Sequence, residues 1–336
     1  MIFLKTVVIG SGSWGTALAQ VLQDNGEKVI LWGKNPTEVN DINENHKNSR
    51  FFPEVSLNPE LKATLDLSVV KDADIVVLSV PTLAIEEMCL RISEFITRPI
   101  IVVNTAKGFH PETNDRMSNV IRKSLSKDKL KSVVSLIGPS HAEEVVLRML
   151  TTICAVSLSE EDAACIQRLF SNEYLRVYRG DDEIGSEIGV ALKNAIAVAS
   201  GVLSGVGYGD NTKAALITRG LAEMMGRLAL AMGAKYETLS GLTGMGDLIV
   251  TCTSVHSRNF QAGYEIGIHN SADYFWKHNT KTVEGVRTAK VVYQVAKEKQ
   301  IDMPIIEEIY KVLYENKKPQ QSAKDLMLRD LKHEMK

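Results

Sequence analysis

The chain has 336 residues, 44% of them hydrophobic and 24% charged, with a formal net charge of −2. That balance belongs to a folded globular protein and excludes a basic surface for nucleic acid or an anionic membrane. The length suits two domains rather than one core.

From the N-terminus, Met1-Ile2-Phe3-Leu4-Lys5 is too short for the apolar region of a signal peptide. Thr6-Val7-Val8-Ile9 reads as a strand, which breaks into Gly10-Ser11-Gly12-Ser13-Trp14-Gly15 and then a helix over 17–25 stopped at Gly26. Strand, G-x-G-x-x-G turn and helix stand in the order of a dinucleotide-binding fold. Gly10 permits the tight turn, Gly12 lets a pyrophosphate approach the backbone, and Gly15 lets helix and strand pack closely. Free N–H groups at the helix N-terminus would face the phosphates. Glycines also serve ordinary turns, but this position at the first strand-to-helix turn favours the nucleotide.

A second strand over 28–32 ends at Trp32-Gly33-Lys34-Asn35. An NAD-preferring fold places an acid near here for the ribose hydroxyls, yet none occurs before Glu38. A cation at Lys34 suits a 2′-phosphate instead, so NADP(H) is expected to serve at least as well as NAD(H); otherwise Lys34 is one more surface lysine. Further strands follow over 74–80, 100–104, 133–137 and 153–157, with a helix over 83–96. Short, nearly continuous β-branched runs imply strands buried on both faces, the signature of a parallel sheet. Alternation with helices implies an α/β fold, a Rossmann-type doubly wound sheet.

After Leu175-Arg176-Val177-Tyr178 strand-like runs become scarce, and helical segments over 183–203, 213–232, 283–299, 304–314 and 322–334 take over. The boundary falls in Arg179-Gly180-Asp181-Asp182, giving an NAD(P)-binding domain, 1–180, and a mostly α-helical substrate-binding and catalytic domain, 181–336. The mixed charges of 324–336 read as a solvated helix. No window reaches the roughly 20 apolar residues of a membrane span. The four cysteines are scattered and the seven histidines form no metal-ligand spacing, so buried thiols in a reducing, cytoplasmic setting and no metal are expected.

Several residues could carry chemistry. Lys193 has Gly189, Val190, Ile196 and Ala197 as its helical neighbours. A lysine desolvated there has a lowered pKa and can exchange a proton near neutral pH; the alternative is an amine that snorkels to water. Thr105-Ala106-Lys107-Gly108 and Gly138-Pro139-Ser140-His141-Ala142 each follow a strand, at the sheet edge where ligands bind, though both could be plain loops. Asp247 ends the glycine-rich 242–246 and could act only as an N-cap. Ser257-Arg258-Asn259 sets a guanidinium beside an amide, as phosphate capture requires, although an isolated Arg is often only a surface residue.

Taken together, Gly10 to Leu18, Ala106-Lys107-Gly108, Gly138 to Ala142, Ala191-Leu192-Lys193-Asn194, Thr218 to Glu223, Gly244-Met245-Gly246-Asp247, Ser257-Arg258-Asn259 and Val283-Glu284-Gly285 resemble the bacterial NAD(P)-dependent glycerol-3-phosphate dehydrogenases. The resemblance implies reduction of dihydroxyacetone phosphate to sn-glycerol 3-phosphate for phospholipid synthesis, with Lys193 exchanging the proton at C2. It implies that Lys107, Gly138, Ser140, Lys193, Asp247, Ser257, Arg258 and Asn259 line the substrate. Ser13, Trp14, Lys34, Lys107, Ala142, Arg258, Thr282 and Glu284 would contact the cofactor, and a homodimer is the family expectation. Two departures stand out: the segment 261–280, with Tyr274-Phe275-Trp276, breaks the expected helical pattern, and Arg148-Met149-Leu150-Thr151-Thr152 replaces a usual Gly-Leu-Pro-Thr. The rival readings are a 3-hydroxyacid dehydrogenase of similar architecture and a non-catalytic NADP(H)-sensing module.

Overall fold

The computed structural model describes residues 4–280 and 282–334, with side chains omitted at 225–227. The expectation about the N-terminal segment therefore rests partly on residues 1–3, outside the described residues. The chain divides into two compact units, 1–187 and 188–336. The division lies past the 179–182 segment read as the boundary.

Unit 1 runs β1 (Thr6–Ile9), α1 (Ser13–Asp24), β2 (Val29–Trp32), α2 (Pro36–Asn45), β3 (Lys62–Thr64), β4 (Ile75–Leu78), α3 (Ile85–Ser93) and β5 (Ile100–Asn104). It continues with α4 (Met117–Ser124), β6 (Leu130–Ile137), α5 (Ala142–Val146), β7 (Thr151–Val156), α6 (Glu160–Phe170) and β8 (Leu175–Gly180). The strands form one sheet in the order β3-β2-β1-β4-β5-β6-β7-β8. Neighbours are parallel except β6 and β7, which run antiparallel. A parallel return needs a full crossover, usually a helix, and the β6–β7 link carries only the five-residue α5. Val8 faces one apolar cluster and Val7 and Ile9 the other, so the sheet is covered on both faces as its β-branched runs require.

Helix α1 begins at Ser13, ahead of the expected start at 17, because Gly12 serves as its N-cap, which brings Ser13, Trp14 and Gly15 into the first turn. The next helix, α7 (Glu183–Val206), starts in unit 1. There Arg122 grips Glu183 through two bonds of 2.8 and 2.7 Å, and Glu187 accepts from Arg116 and from Ser118.

Unit 2 is helical: the remainder of α7, then α8 (Asp210–Glu223), α9 (Tyr236–Ser240), α10 (Asp247–Thr253), α11 (Arg258–Ile268), α12 (Asp273–His278), α13 (Glu284–Glu298), α14 (Pro304–Tyr314) and α15 (Pro319–Met327). Wide π-helical turns occupy Met224–Ala229 and Leu242–Gly246. Helix α7 is in fact long and apolar enough to cross a bilayer, contrary to expectation, but most of that stretch is buried as a core helix. The segment 261–280 is helical, in α11 and α12: Phe275 is buried, and the Trp276 indole N–H donates to the Leu313 carbonyl at 2.9 Å. The C-terminal helix stops at Met327, short of the expected 334, where Leu328 and Leu331 are exposed and supply no packing face. The end of the 324–336 tail, 335–336, lies outside the described residues.

Helices α7 and α11 approach backbone to backbone. A Cβ on Gly201 would stand 2.1 Å from the Phe260 carbonyl oxygen, and one on Gly263 would stand 2.0 Å from that of Val198. Gly205 and Gly267 repeat the contact one turn on, so only hydrogen fits along this seam.

Candidate active site

In unit 1 the sheet order reverses beside β1, which pairs with β2 on one side and β4 on the other. Strands β1, β4, β5 and β6 are mutually parallel, so their following loops leave one edge, where open α/β sheets bind ligands. Gly10 has φ +116°, and a Cβ there would meet the Ser79 carbonyl at 2.3 Å. A Cβ on Gly15 would meet the Gly10 carbonyl at 1.9 Å, whereas one on Gly12 would meet nothing within 4 Å. The turn is thus sealed at Gly10 and Gly15 and open at Gly12, which fits a pyrophosphate lying against the backbone at the N-terminus of α1. Ser13 and Trp14 form the first turn of that helix; Trp14 is half-buried, packed against the core beside α1.

Lys34 is exposed just past β2. The Lys107 ammonium donates to the Gly138 carbonyl at 2.8 Å and to the Ser140 hydroxyl at 3.4 Å, joining the loops that follow β5 and β6. Gly138 has φ +146°, a conformation that other residues rarely adopt, and Ala142 opens α5.

In unit 2, Lys193 is 4% exposed and Asp247 1%. The lysine donates to Asp247 Oδ1 at 2.5 Å and to Thr251 Oγ1 at 2.7 Å, and that hydroxyl donates to the Asp247 carbonyl at 2.6 Å. The expected apolar setting of Lys193 needs correcting: a carboxylate and a hydroxyl face its amine, while Val190, Ile196 and Ala197 bury the helix around it. A buried charge is tolerated when paired and hydrogen-bonded, and the carboxylate favours the ammonium, the form that can donate a proton. Gly246, not Asp247, is the N-cap of α10, so the aspartate serves the lysine from the first helical turn.

A second cluster surrounds Asn259. Its amide donates to Asn194 Oδ1 at 2.9 Å and its Oδ1 accepts from the Gly285 N–H at 2.9 Å, while Asn194 reaches Glu284 at 3.5 Å. Ser257 is buried and caps α11 by accepting from the Phe260 N–H at 3.2 Å, leaving its hydroxyl hydrogen to donate. Arg258 is exposed in the first turn of α11, and Thr282 is exposed before α13. A cation at a helix N-terminus opposes the helix dipole, and an anion bound there would relieve the conflict.

Sequence reasoning missed Thr251 and gave Asn194 no role. Thr251 was findable as the i+4 neighbour of Asp247 on one helix face. Burial pushes the neighbouring Cys252 thiol up to about 12, so no thiolate competes as a nucleophile.

Two family models match in sequence: the NAD-dependent glycerol-3-phosphate dehydrogenase N-terminus over residues 5–164 and its C-terminus over 182–324. The chain is 50% identical over 331 residues to the glycerol-3-phosphate dehydrogenase [NAD(P)+] of Listeria innocua, covering 98% of each. Against that of Bacillus subtilis it is 47% identical over 332 residues, covering 98% of this chain and 96% of the other. The crystal structure of glycerol-3-phosphate dehydrogenase from Coxiella burnetii superposes with a TM-score of 0.89 at 32% identity, covering 97% and 99% of the two chains.

Proposed function

The chain belongs to the NAD-dependent glycerol-3-phosphate dehydrogenase family, and from that premise we propose how its own residues divide the work. The reaction is the reversible, NAD(P)H-dependent reduction of dihydroxyacetone phosphate to sn-glycerol 3-phosphate, a precursor for glycerophospholipids. This assignment replaces the hydroxyacid-dehydrogenase and sensing-module readings.

The nicotinamide, when bound, supplies the hydride to C2. Lys193 gives its proton to the C2 oxygen as charge develops there and takes it back in the reverse direction. Asp247 and Thr251 hold the ammonium in one place, ready to donate to the substrate oxygen. Arg258, Asn259 and Ser257 take the substrate phosphate at the head of α11, and Lys107, Gly138 and Ser140 supply further polar contacts. Gly10, Gly12, Ser13, Trp14 and Gly15 seat the dinucleotide, with contacts from Lys34, Lys107, Ala142, Arg258, Thr282 and Glu284. The N-terminal part supplies most of the cofactor contacts, and the C-terminal part supplies Lys193 and most of the substrate contacts. The enzyme works on small molecules as a cytoplasmic homodimer, without nucleic acid or membrane insertion.

The observation that carries the reading is the buried Lys193–Asp247–Thr251 cluster, a lysine placed for proton exchange and with no surface role. Loss of NADPH absorbance with dihydroxyacetone phosphate tests it. We expect turnover with the phosphate ester, little with dihydroxyacetone, and an Arg258→Ala variant whose KM for the ester rises at least about tenfold. Equal turnover of both ketones, or an unchanged KM, would remove the phosphate-anchoring role.

A further inference from the structure

Beside the glycine turn lies a carboxylate that the reaction does not use. Glu38, in the first turn of α2, is 8% exposed. Its Oε2 accepts from the Ser11 hydroxyl, within the glycine turn, at 2.5 Å. Its Oε1 accepts from Asn35 at 3.2 Å and from the Arg50 guanidinium at 2.6 Å. The two parts are pressed together, because a Cβ on Gly33 at the end of β2 would stand 2.5 Å from Ser11 Oγ. Asn48 ties the segment carrying Arg50 to the same turn: its amide donates to the Ser11 carbonyl at 2.9 Å and to Thr16 Oγ1 at 2.8 Å. Arg50 itself is 64% exposed at its side chain and lies 5.3 Å over the Phe51 ring.

In a dinucleotide fold the adenosine ribose sits between the glycine turn and the end of the second strand. An unpaired acid there accepts from the ribose 2′-hydroxyl and repels a 2′-phosphate. Here the acid is already engaged from three sides, and its cationic partner keeps most of its five N–H donors for another anion. Resting on the reading of this unit as the NAD(P) site, we propose that the Glu38–Arg50 pair discriminates between the two cofactors. Arg50 recognises the 2′-phosphate alongside Lys34. Glu38 is the positioning residue: it fixes Arg50 against the glycine turn and, while so paired, is withheld from the 2′-hydroxyl.

Removing either partner has a different signature. Arg50→Ala deletes the phosphate donor and releases the carboxylate for a hydroxyl. Glu38→Gln keeps a hydrogen-bonding group for Ser11 but unties Arg50 and offers no anionic acceptor. Calorimetric binding of 2′-phospho-ADP-ribose and of ADP-ribose to the full-length protein separates these, with KM for NADPH and NADH as a second readout. Arg50→Ala is expected to weaken 2′-phospho-ADP-ribose about tenfold or more, while ADP-ribose holds or tightens. Glu38→Gln is expected to weaken the phosphorylated ligand by a smaller factor, with no gain for ADP-ribose. Equal losses on both ligands in Arg50→Ala, or none, overturn the proposal, as does tighter 2′-phospho-ADP-ribose binding by Glu38→Gln. A wild-type protein that binds neither ligand fails the cofactor-site reading itself; one that binds both while Arg50→Ala changes nothing fails only this proposal.

Discussion

Lys193 and Asp247 are sealed from water together and joined as an ion pair at 2.5 Å. Removing one breaks a buried ion pair, at a cost of about 3–5 kcal/mol. Lys193→Met is therefore expected to lower kcat by orders of magnitude and also to lower the melting temperature. Adding Asp247→Asn should recover much of the stability and none of the activity, as a double-mutant cycle by thermal melts and NADPH oxidation would read. A double variant as unstable as Lys193→Met alone would mean that packing, not charge, was lost. At this scale the sequence exposed the lysine through its uncharged helical neighbours. It named Asp247 only through the family resemblance and missed Thr251: both lie more than fifty positions away and meet Lys193 only once α7 and α10 are folded.

Among the elements, the glycine turn makes opposite demands at Gly12 and Gly15. Gly12→Ala has room in the folded chain and should leave the melt within about 0.5 kcal/mol of wild type, yet its methyl would occupy the face open to the pyrophosphate and weaken NADPH binding. Gly15→Ala collides with backbone, and overpacking of this kind costs about 1–3 kcal/mol or more. Chemical denaturation beside nucleotide titration separates the two effects; equal destabilisation would discredit the open face at Gly12. The departure at Arg148 also has a local account. Its φ is +58°, a conformation that favours glycine. In compensation its guanidinium bonds Asp24 at 2.9 and 3.1 Å, and Tyr174 donates to the same carboxylate at 2.8 Å. Burial pushes Asp24 up, but the bonds from Arg148, Tyr174 and Asn58 outweigh it, and the carboxyl lies below its usual range. A depressed carboxyl contributes stability above its unfolded pKa and loses it as pH falls through the folded one. Arg148→Gly should thus be slightly less stable than wild type at neutral pH, by less than about 1 kcal/mol for so exposed a pair, and should gain on it as the solution is acidified. Parallel pH profiles in urea melts would separate Arg148 from Asp24. Strands were the more legible elements, because burial on both faces leaves unbroken β-branched runs. Helix α2 was not, since it buries only Glu38, Val39 and Ile42 and carries no apolar stripe.

For the molecule as a whole, the change in texture after β8 announced a helical second half, and the boundary was the harder reading. Glu183 and Glu187 begin the long α7 yet belong to unit 1, where Arg116 and Arg122 hold them. A chain cut at Gly180 would leave both arginines without these carboxylates. Segment 261–280 misled for another reason: its aromatic residues disrupt a Leu/Ala stripe, but on short helices Phe275 is buried and the half-exposed Trp276 bonds the Leu313 carbonyl, an arrangement that a longer-period reading overlooks.

The glycine seam between α7 and α11 bears on how the enzyme should behave when heated. Contacts made by bulky side chains loosen gradually, because rotamers become populated one after another as temperature rises. A seam of hydrogens against carbonyls has no rotamers to release, so ordering it costs little side-chain entropy and warming offers it no intermediate slack. Lys193 lies little more than one turn ahead of that seam, and the cluster at Asn259 starts from the other helix. Their spacing is set by two main chains in contact. The expected outcome is an activity that follows ordinary Arrhenius behaviour up to the melt and then fails together with the helical signal, as parallel assay and circular-dichroism ramps would measure. Activity fading well below the melt would place the weak point elsewhere than in this rigid crossing.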